Sequence, residues 1–333
     1  MQQSGGGGSR RSGRMARVAA VLLSGALFLC CACRSKAPER VQFHLVPEIT
    51  MTPAPLPTTA PAPAFYLNLA EAEIYGGGVC QLVAYHNPGG RESDTVYWTS
   101  SDERVAIVEE YGVVIGLSEG KAVITAHAND GSGDTAACSV AVTSSRPQPR
   151  ESLRLRNNCY QNGKQMYASR IQPIEDFIEG LDMSAPGSRL ALSALRYVGN
   201  YYGTKEGNID CSMLLLYACL DNGLRLPRRS DWQARALEEK AVPLEALQTG
   251  DFMFFAYMEG DRCSCRTAPA CTRYLGVHHS AVYLGEVEGR RYLIEASSAI
   301  GRVVVRAWDG SDMHAGMRIV LCARPGAGAG ESA

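Results

Sequence analysis

Cys211, His279 and Glu295 follow one another in the second half of this 333-residue chain, and their types and order suit nucleophilic acyl transfer. A cysteine attacks a carbonyl, a histidine moves the proton, and a carboxylate fixes the histidine tautomer. Cys211 follows the turn material Gly207-Asn208 and precedes an apolar run that ends at Asn222-Gly223. That pattern predicts a buried helix with the cysteine in its first turn. Unpaired backbone N–H groups and the positive end of the helix dipole favour a thiolate at such a position. The bland alternative is a cysteine that acts only as a small buried hydrophobe.

Such a set works only if separate elements bring it together. Helical patterning dominates residues 188–233, and strands follow at 252–256, 278–285, 291–297, 302–308 and 317–322. Helices first and an antiparallel sheet afterwards describe an α+β domain. His279 and Glu295 fall on consecutive strands. If Glu286-Val287-Glu288 is the hairpin loop, Gly285 pairs with Gly289 and His279 lies directly opposite Glu295, about 5 Å away on one face. A two-residue loop would break that alignment. Ser230 and Gln233 have capping-box spacing, so a short helix is expected to start there.

Composition sets the compartment. Hydrophobic residues make up 46% and charged residues 20%, which are globular values. The net charge of −1 gives no reason to expect a nucleic-acid partner. Residues 1–32 hold four arginines and no acid; without them 29 basic residues stand against 34 acidic ones, leaving a mildly acidic body. Residues 15–33 have the layout of an export signal: a basic start, an apolar stretch over 18–29, then small residues and cysteines. That stretch is short for a membrane span. The ending Cys30-Cys31-Ala32-Cys33 resembles a lipoprotein signal, which implies membrane attachment through a lipid on Cys33.

Residues 34–65 are Pro-, Ala- and Thr-rich and read as an extended spacer. Over 66–143, short alternating segments separated by Gly, Asn, Asp and Ser clusters predict an all-β sandwich. The wording Trp98-Thr99-Ser100-Ser101-Asp102, Val105-Ala106-Ile107-Val108, Gly112-Val113-Val114 and Gly120-Lys121-Ala122-Val123 resembles the bacterial Ig-like domain of group 2. That resemblance implies positioning or adhesion rather than chemistry. Residues 144–185 read as a linker with one extra helix, and residues 324–333 as a disordered tail.

Across residues 186–323, five motifs occur in order. They are Asp210-Cys211-Ser212, Leu226-Pro227-Arg228-x-Ser230-x-x-Gln233, Gly250-Asp251-x-x-Phe254-Phe255, His279-x-x-x-Tyr283-Leu284-Gly285 and Ala296-Ser297-Ser298. Together they resemble the NlpC-type cell-wall cysteine peptidases. The resemblance implies a papain-like fold with Cys211 as nucleophile, His279 as base and Glu295 in the orienting position. It implies peptidoglycan stem peptides as substrate, cut between D-Glu and a diamino acid, with no cofactor. It also implies that Asp210, Ser212 and Tyr202 (with Tyr201 next) hold the substrate's amino end; for Asp210 a plain helix N-cap is the competing expectation.

Three departures stand out. Met213 occupies a position where the family has Gly, Glu295 one that is more often His, and residues 257–277 form an insertion. Cys263, Cys265, Cys271 and His278 there have a C-x-C spacing poor for zinc, and export favours disulfides, so a disulfide-pinned loop is expected and no metal. Cys80 and Cys138 are expected to bridge the sandwich. Three functions remain open: an exported cysteine peptidase, an amidase or transglutaminase-like enzyme on the same residues, and a non-catalytic wall-binding surface protein. Oligomeric state is not legible.

Overall fold

A computed structural model describes residues 65–86, 91–92, 96–149, 153, 155–258 and 271–325. The expected signal, Cys33, the Pro-rich spacer, Cys263, Cys265 and most of the tail lie outside the described residues. No helix among the described residues is long and apolar enough to cross a membrane.

Among the described residues, ten strands form the first half: β1 (Phe65–Leu67), β2 (Glu71–Ile74), β3 (Val79–Gln81), β4 (Ala84–His86), β5 (Arg91–Glu92), β6 (Val96–Ser100), β7 (Ala106–Val108), β8 (Val113–Gly116), β9 (Gly120–Ala128) and β10 (Thr135–Val142). Residues 79–86 form two strands, because β3 pairs with β8 while β4 pairs with β1 and β5. Alternation along β9 and β10 sends Ala122, Ile124, Cys138 and Val140 inward and their neighbours outward. Cys80 packs against the core that holds Cys138, but both are free thiols; the expected bridge is absent.

The second half holds β11 (Cys159–Gln161), β12 (Lys164–Gln165), α1 (Ala168–Glu179), α2 (Pro186–Leu195), α3 (Cys211–Leu220), α4 (Ser230–Ala236), β13 (Phe252–Tyr257), β14 (Val277–Val287), β15 (Arg290–Ser297), β16 (Arg302–Trp308), β17 (Met313–His314) and β18 (Met317–Ala323). Eight strands form one sheet in the order β12-β11-β16-β15-β14-β13-β18-β17. Every pairing is antiparallel except β11 with β16. Residues 155–179, expected as linker and an extra helix, join this unit: Leu155, Cys159, Ile171 and Ile174 share the core of the other helices.

Helix α3 lies at the centre of that core. Residues 211–219 are all buried, as expected for a helix apolar all round. Each of its fully buried leucines contributes roughly 1.5–3 kcal/mol. Asp210 caps it by accepting from the Met213 amide at 2.8 Å. The sheet is apolar on both faces: Phe252 and Phe254 face the helices, while Met253 and Phe255 join a second cluster with Leu293 and Trp308.

The two halves share an apolar seam. Ile107 and Ile115 of β7 and β8 belong to the same core cluster as α3. Gly77, at φ +88°, lies so close to α3 that a Cβ there would stand 2.4 Å from the Tyr217 hydroxyl and 3.0 Å from Met213 Cε. Around the seam Tyr75 donates to the Thr204 carbonyl, Arg146 pairs with Asp221, and the Arg228 amide donates to Glu109. Burial pushes the Glu109 carboxyl up to about 7, against the lowering effect of that amide.

Candidate active site

Asp210 and Cys211 stand where the chain turns into α3, and His279 lies near the start of β14. Cys211 is 7% exposed; its thiol donates to the His278 carbonyl at 4.0 Å, and its sulfur lies near enough to the His279 imidazole to raise it. The other side of that imidazole is held by Glu295: Nε2 donates to Oε2 at 2.8 Å. The expected set is therefore assembled as a chain of three contacting side chains.

The route to this contact differs from the expectation. The hairpin loop is the two residues Glu288 and Gly289, both at positive φ, with Val287 paired to Arg290. This is a primed turn whose twist matches the strands. Alone it would put Glu295 on the face opposite to His279. The pairing then shifts between Tyr283 and Gly285, so that Tyr283 meets Leu293 and Val282 meets Ile294. This bulge restores the shared face. Glu295 consequently falls diagonal to His279, not directly opposite it, and the two side chains lean together across the ladder. Gly285 flanks the bulge at φ +143°, where a Cβ would meet the Phe177 ring at 2.5 Å.

Glu295 is 1% exposed and has two further partners that the sequence did not suggest. His314 Nε2 donates to Oε2 at 3.1 Å, and Arg306 Nη1 donates to Oε1 at 3.0 Å. Burial would raise the Glu295 carboxyl, but His279 and His314 overcome it and hold the group well below the usual range. Burial would likewise lower His279; its hydrogen bonds with Cys211 and Glu295 and their charges overcome it, raising the imidazole to about 10. The result is a buried ion pair in which the acid stays charged and the imidazole stays protonated.

The other expected residues gather around Asp210, the neighbour of Cys211. Arg228 grips Asp210 with two bonds, Nη2 to Oδ2 at 2.7 Å and Nη1 to Oδ1 at 3.1 Å. Ser212 donates to Asp210 Oδ1 at 2.9 Å. Tyr202 neighbours Cys211, Asp210 and Tyr257, and burial pushes its phenol upward. Tyr201 instead is exposed and bridges to Arg302. Asp210 thus is an N-cap and a member of a buried polar cluster at once. Arg228 lies in the Leu226-Pro227-Arg228 motif, which by itself assigns it no role.

Gln233 corrects one local expectation. No side-chain cap holds the start of α4, whose N-cap is Arg229. Gln233 Nε2 donates to the Ser212 and Pro227 carbonyls at 2.8 and 2.7 Å, tying α4 to the first turn of α3. Met213 is 2% exposed and packs toward Gly77 and Tyr217. Within the insertion, Cys271 Sγ lies 3.3 Å from His278 Nε2. No group of three His, Cys, Asp or Glu residues suited to a metal ion occurs among the described residues.

The geometry can be set against known proteins. Residues 65–140 match the bacterial Ig-like domain (group 2), and residues 197–320 match the NlpC/P60 family. The chain carries an Ig-like domain followed by an NlpC/P60 domain. The chain is similar to the gamma-D-glutamyl-L-lysine dipeptidyl-peptidase of Bacillus subtilis (strain 168), 32% identical over 83 residues, which cover 25% of this chain and 23% of that protein. It is also similar to a 3-O-alpha-D-galactosyl-alpha-L-arabinofuranosidase of Bifidobacterium longum subsp. longum, 45% identical over 56 residues, 17% of this chain and 5% of that one. The chain therefore spans less than a quarter of either curated relative. Among solved structures, RipD from Mycobacterium tuberculosis, described as a non-catalytic NlpC/p60 domain protein adapted to peptidoglycan binding, is 19% identical with a TM-score of 0.31. That likeness covers 42% of this chain and 97% of RipD. Within the NlpC/P60 domain of this chain, the Cys-His-Glu chain and the Asp210–Arg228 pair flank one another at the start of α3.

Proposed function

We propose that this protein is an exported cysteine peptidase that hydrolyses peptidoglycan stem peptides at the bond between D-Glu and a diamino acid. The observation that carries this reading is the contact chain from Cys211 through His279 to Glu295, with both ends buried. The NlpC/P60 match and the similarity to a gamma-D-glutamyl-L-lysine dipeptidyl-peptidase support the substrate class. The sequence ending at Cys33 supports attachment to a membrane through a lipid.

The Cys211 thiolate, paired with protonated His279, attacks the γ-carbonyl of D-Glu. The carbonyl π-electrons move onto oxygen, and the oxyanion is received by first-turn amides of α3. Asp210 has already taken the Met213 amide, which leaves those of Cys211 and Ser212 for this task. The protonated His279 gives its proton to the departing amine as the C–N bond breaks, leaving a thioester on Cys211. Neutral His279 then takes a proton from water, the hydroxide adds to the thioester carbonyl, the C–S bond breaks to return the Cys211 thiolate beside protonated His279, and the free acid leaves. Glu295 keeps the imidazole oriented throughout. Asp210, Ser212 and Tyr202 line the amino-end side, with Arg228 holding Asp210 in place.

The test is incubation of the mature protein and its Cys211→Ala variant with muropeptides, followed by mass spectrometry of the products. Loss of a γ-linked peptide bond with wild type alone is the expected result. Ammonia release or cross-linked product would replace this reading with an amidase or transglutaminase-like one. Unchanged muropeptides with a folded wild-type protein would overturn catalysis and favour a wall-binding role.

A further inference from the structure

Next to the imidazole of His279 lies an open cavity of about 350 Å³, lined by Tyr257, His279, Glu295, Ser297, Ser298 and Arg306 among others. No described residue of α3 lines it. Arg306 is the informative member. Its guanidinium donates through Nη1 to Glu295 and has no other hydrogen-bond partner among the described residues, so Nε and Nη2 are left for a ligand. The side chain is 17% exposed, enough to reach a bound molecule. Glu295 is shared between His279 and Arg306, so the free edge of the guanidinium faces no second acid among the described residues. A guanidinium with two adjacent free donors matches a carboxylate's two oxygens.

The side of the site on which this cavity lies decides what it holds; this step rests on the peptidase reading above. His279 protonates the departing nitrogen, so the leaving half of the substrate must lie on the His279 side and the acyl half on the Asp210 side. We propose that the cavity is the leaving-group subsite and that Arg306 pairs there with a free carboxylate on the departing amino component. That carboxylate has two possible sources: the second carboxylate of a diamino diacid side chain, or the terminal carboxylate of a short stem. Arg306 would then link recognition to chemistry, since its other arm holds Glu295. A carboxylate drawn into the cavity also places a negative charge near His279, which favours the protonated acid form when the amine leaves.

The test uses the mature full-length protein and four peptides that share an L-Ala-γ-D-Glu acyl half. The leaving residues are meso-diaminopimelate, meso-diaminopimelate with its side-chain carboxyl amidated, L-lysine, and L-lysine amide. The measured quantity is kcat/KM. A carboxylate at the recognised position should raise it by roughly 10-fold to 100-fold over the matching amide. The pair that shows the difference identifies the source as side chain or chain end. In Arg306→Gln, checked for folding by thermal melting, acid and amide should be cleaved equally and more slowly. Cleavage of acid and amide at the same rate by wild type overturns the subsite and leaves the peptidase reading intact, whether or not the variant folds. A preference that persists in a folded Arg306→Gln variant also overturns it. Cleavage of none of the four by wild type overturns both.

Discussion

Replacing Glu295 by Gln is the sharpest perturbation of the proposed chemistry, because it keeps the shape and removes the charge. A His279 held near 10 rather than 6.5 prefers its protonated form by on the order of 5 kcal/mol. Cys211 and Glu295 both contribute to this. If Glu295 supplies about half, its loss removes roughly 2–3 kcal/mol, or about a hundredfold in rate. The amide adds a second fault. Glu295 accepts from three donors, two on Oε2 and one on Oε1. A Gln in that place turns one of its ends into a donor facing a donor. We expect kcat on a γ-D-glutamyl dipeptide to fall about a hundredfold with KM little changed, since Glu295 acts through His279 and does not touch the acyl half. Amine release followed by fluorogenic labelling gives the rate across pH. The loss should be smallest at low pH, where His279 is protonated in either protein. It should grow as pH rises past neutral, where the variant's imidazole loses its proton before that of wild type. A folded Glu295→Gln variant with wild-type kcat and an unchanged pH profile would refute the orienting role.

Three further outcomes are expected. His314→Ala should lower kcat by roughly tenfold, the worth of about 1.4 kcal/mol for one charge-assisted bond, and His314→Gln should recover part of it by restoring an N–H donor; dipeptide kinetics report both. Met213→Gly should cost about 2–5 kcal/mol in denaturant unfolding, by emptying buried volume between α3 and the Gly77 turn, without raising KM. The His279–Glu295 pair should also shape stability against pH. His279 is raised, so its contribution is complete below 6.5 and disappears as pH rises toward 10. Glu295 is lowered, so its contribution is complete above 4.5 and disappears as pH falls through its folded value. Both are complete only between 4.5 and 6.5, where the Tm gap between wild type and Glu295→Gln should be widest.

What the sequence revealed follows from the range of the interactions involved. Helix α3 was legible because its signals are local: an acid at the cap, an unbroken apolar run and an Asn-Gly stop. His279 and Glu295 were legible as strand residues, yet their register was not. Glu288-Gly289 lacks the Asn or Asp that usually announces a primed turn, and the bulge beside it leaves no mark in the residue pattern. The Ser230–Gln233 spacing has the form of a capping box, but carbonyls from α3 and Pro227 took the Gln233 amide instead. His314 was out of reach. Its place depends on β17 folding back over β18 through the turn at Ala315 and Gly316, a long-range event with no periodic signature. The strand at Cys159–Gln161 is three residues long, too short to show alternation, and its partner β16 lies far along the chain.

The bulge between Tyr283 and Gly285 constrains how this chain can change over time. In a β-hairpin, adding or deleting one residue at the tip reverses which side every later residue faces. Here the tip has one parity and the bulge a compensating one, and His279 meets Glu295 only when both are present. A single-residue indel at either place would turn Glu295 away while leaving both strands intact and every motif in order. Descendants can therefore lose the site silently, keeping a recognisable sequence, and regain it only through a second indel a few residues away. Alignments of related chains should be read for the length between His279 and Glu295 as closely as for the two residues themselves.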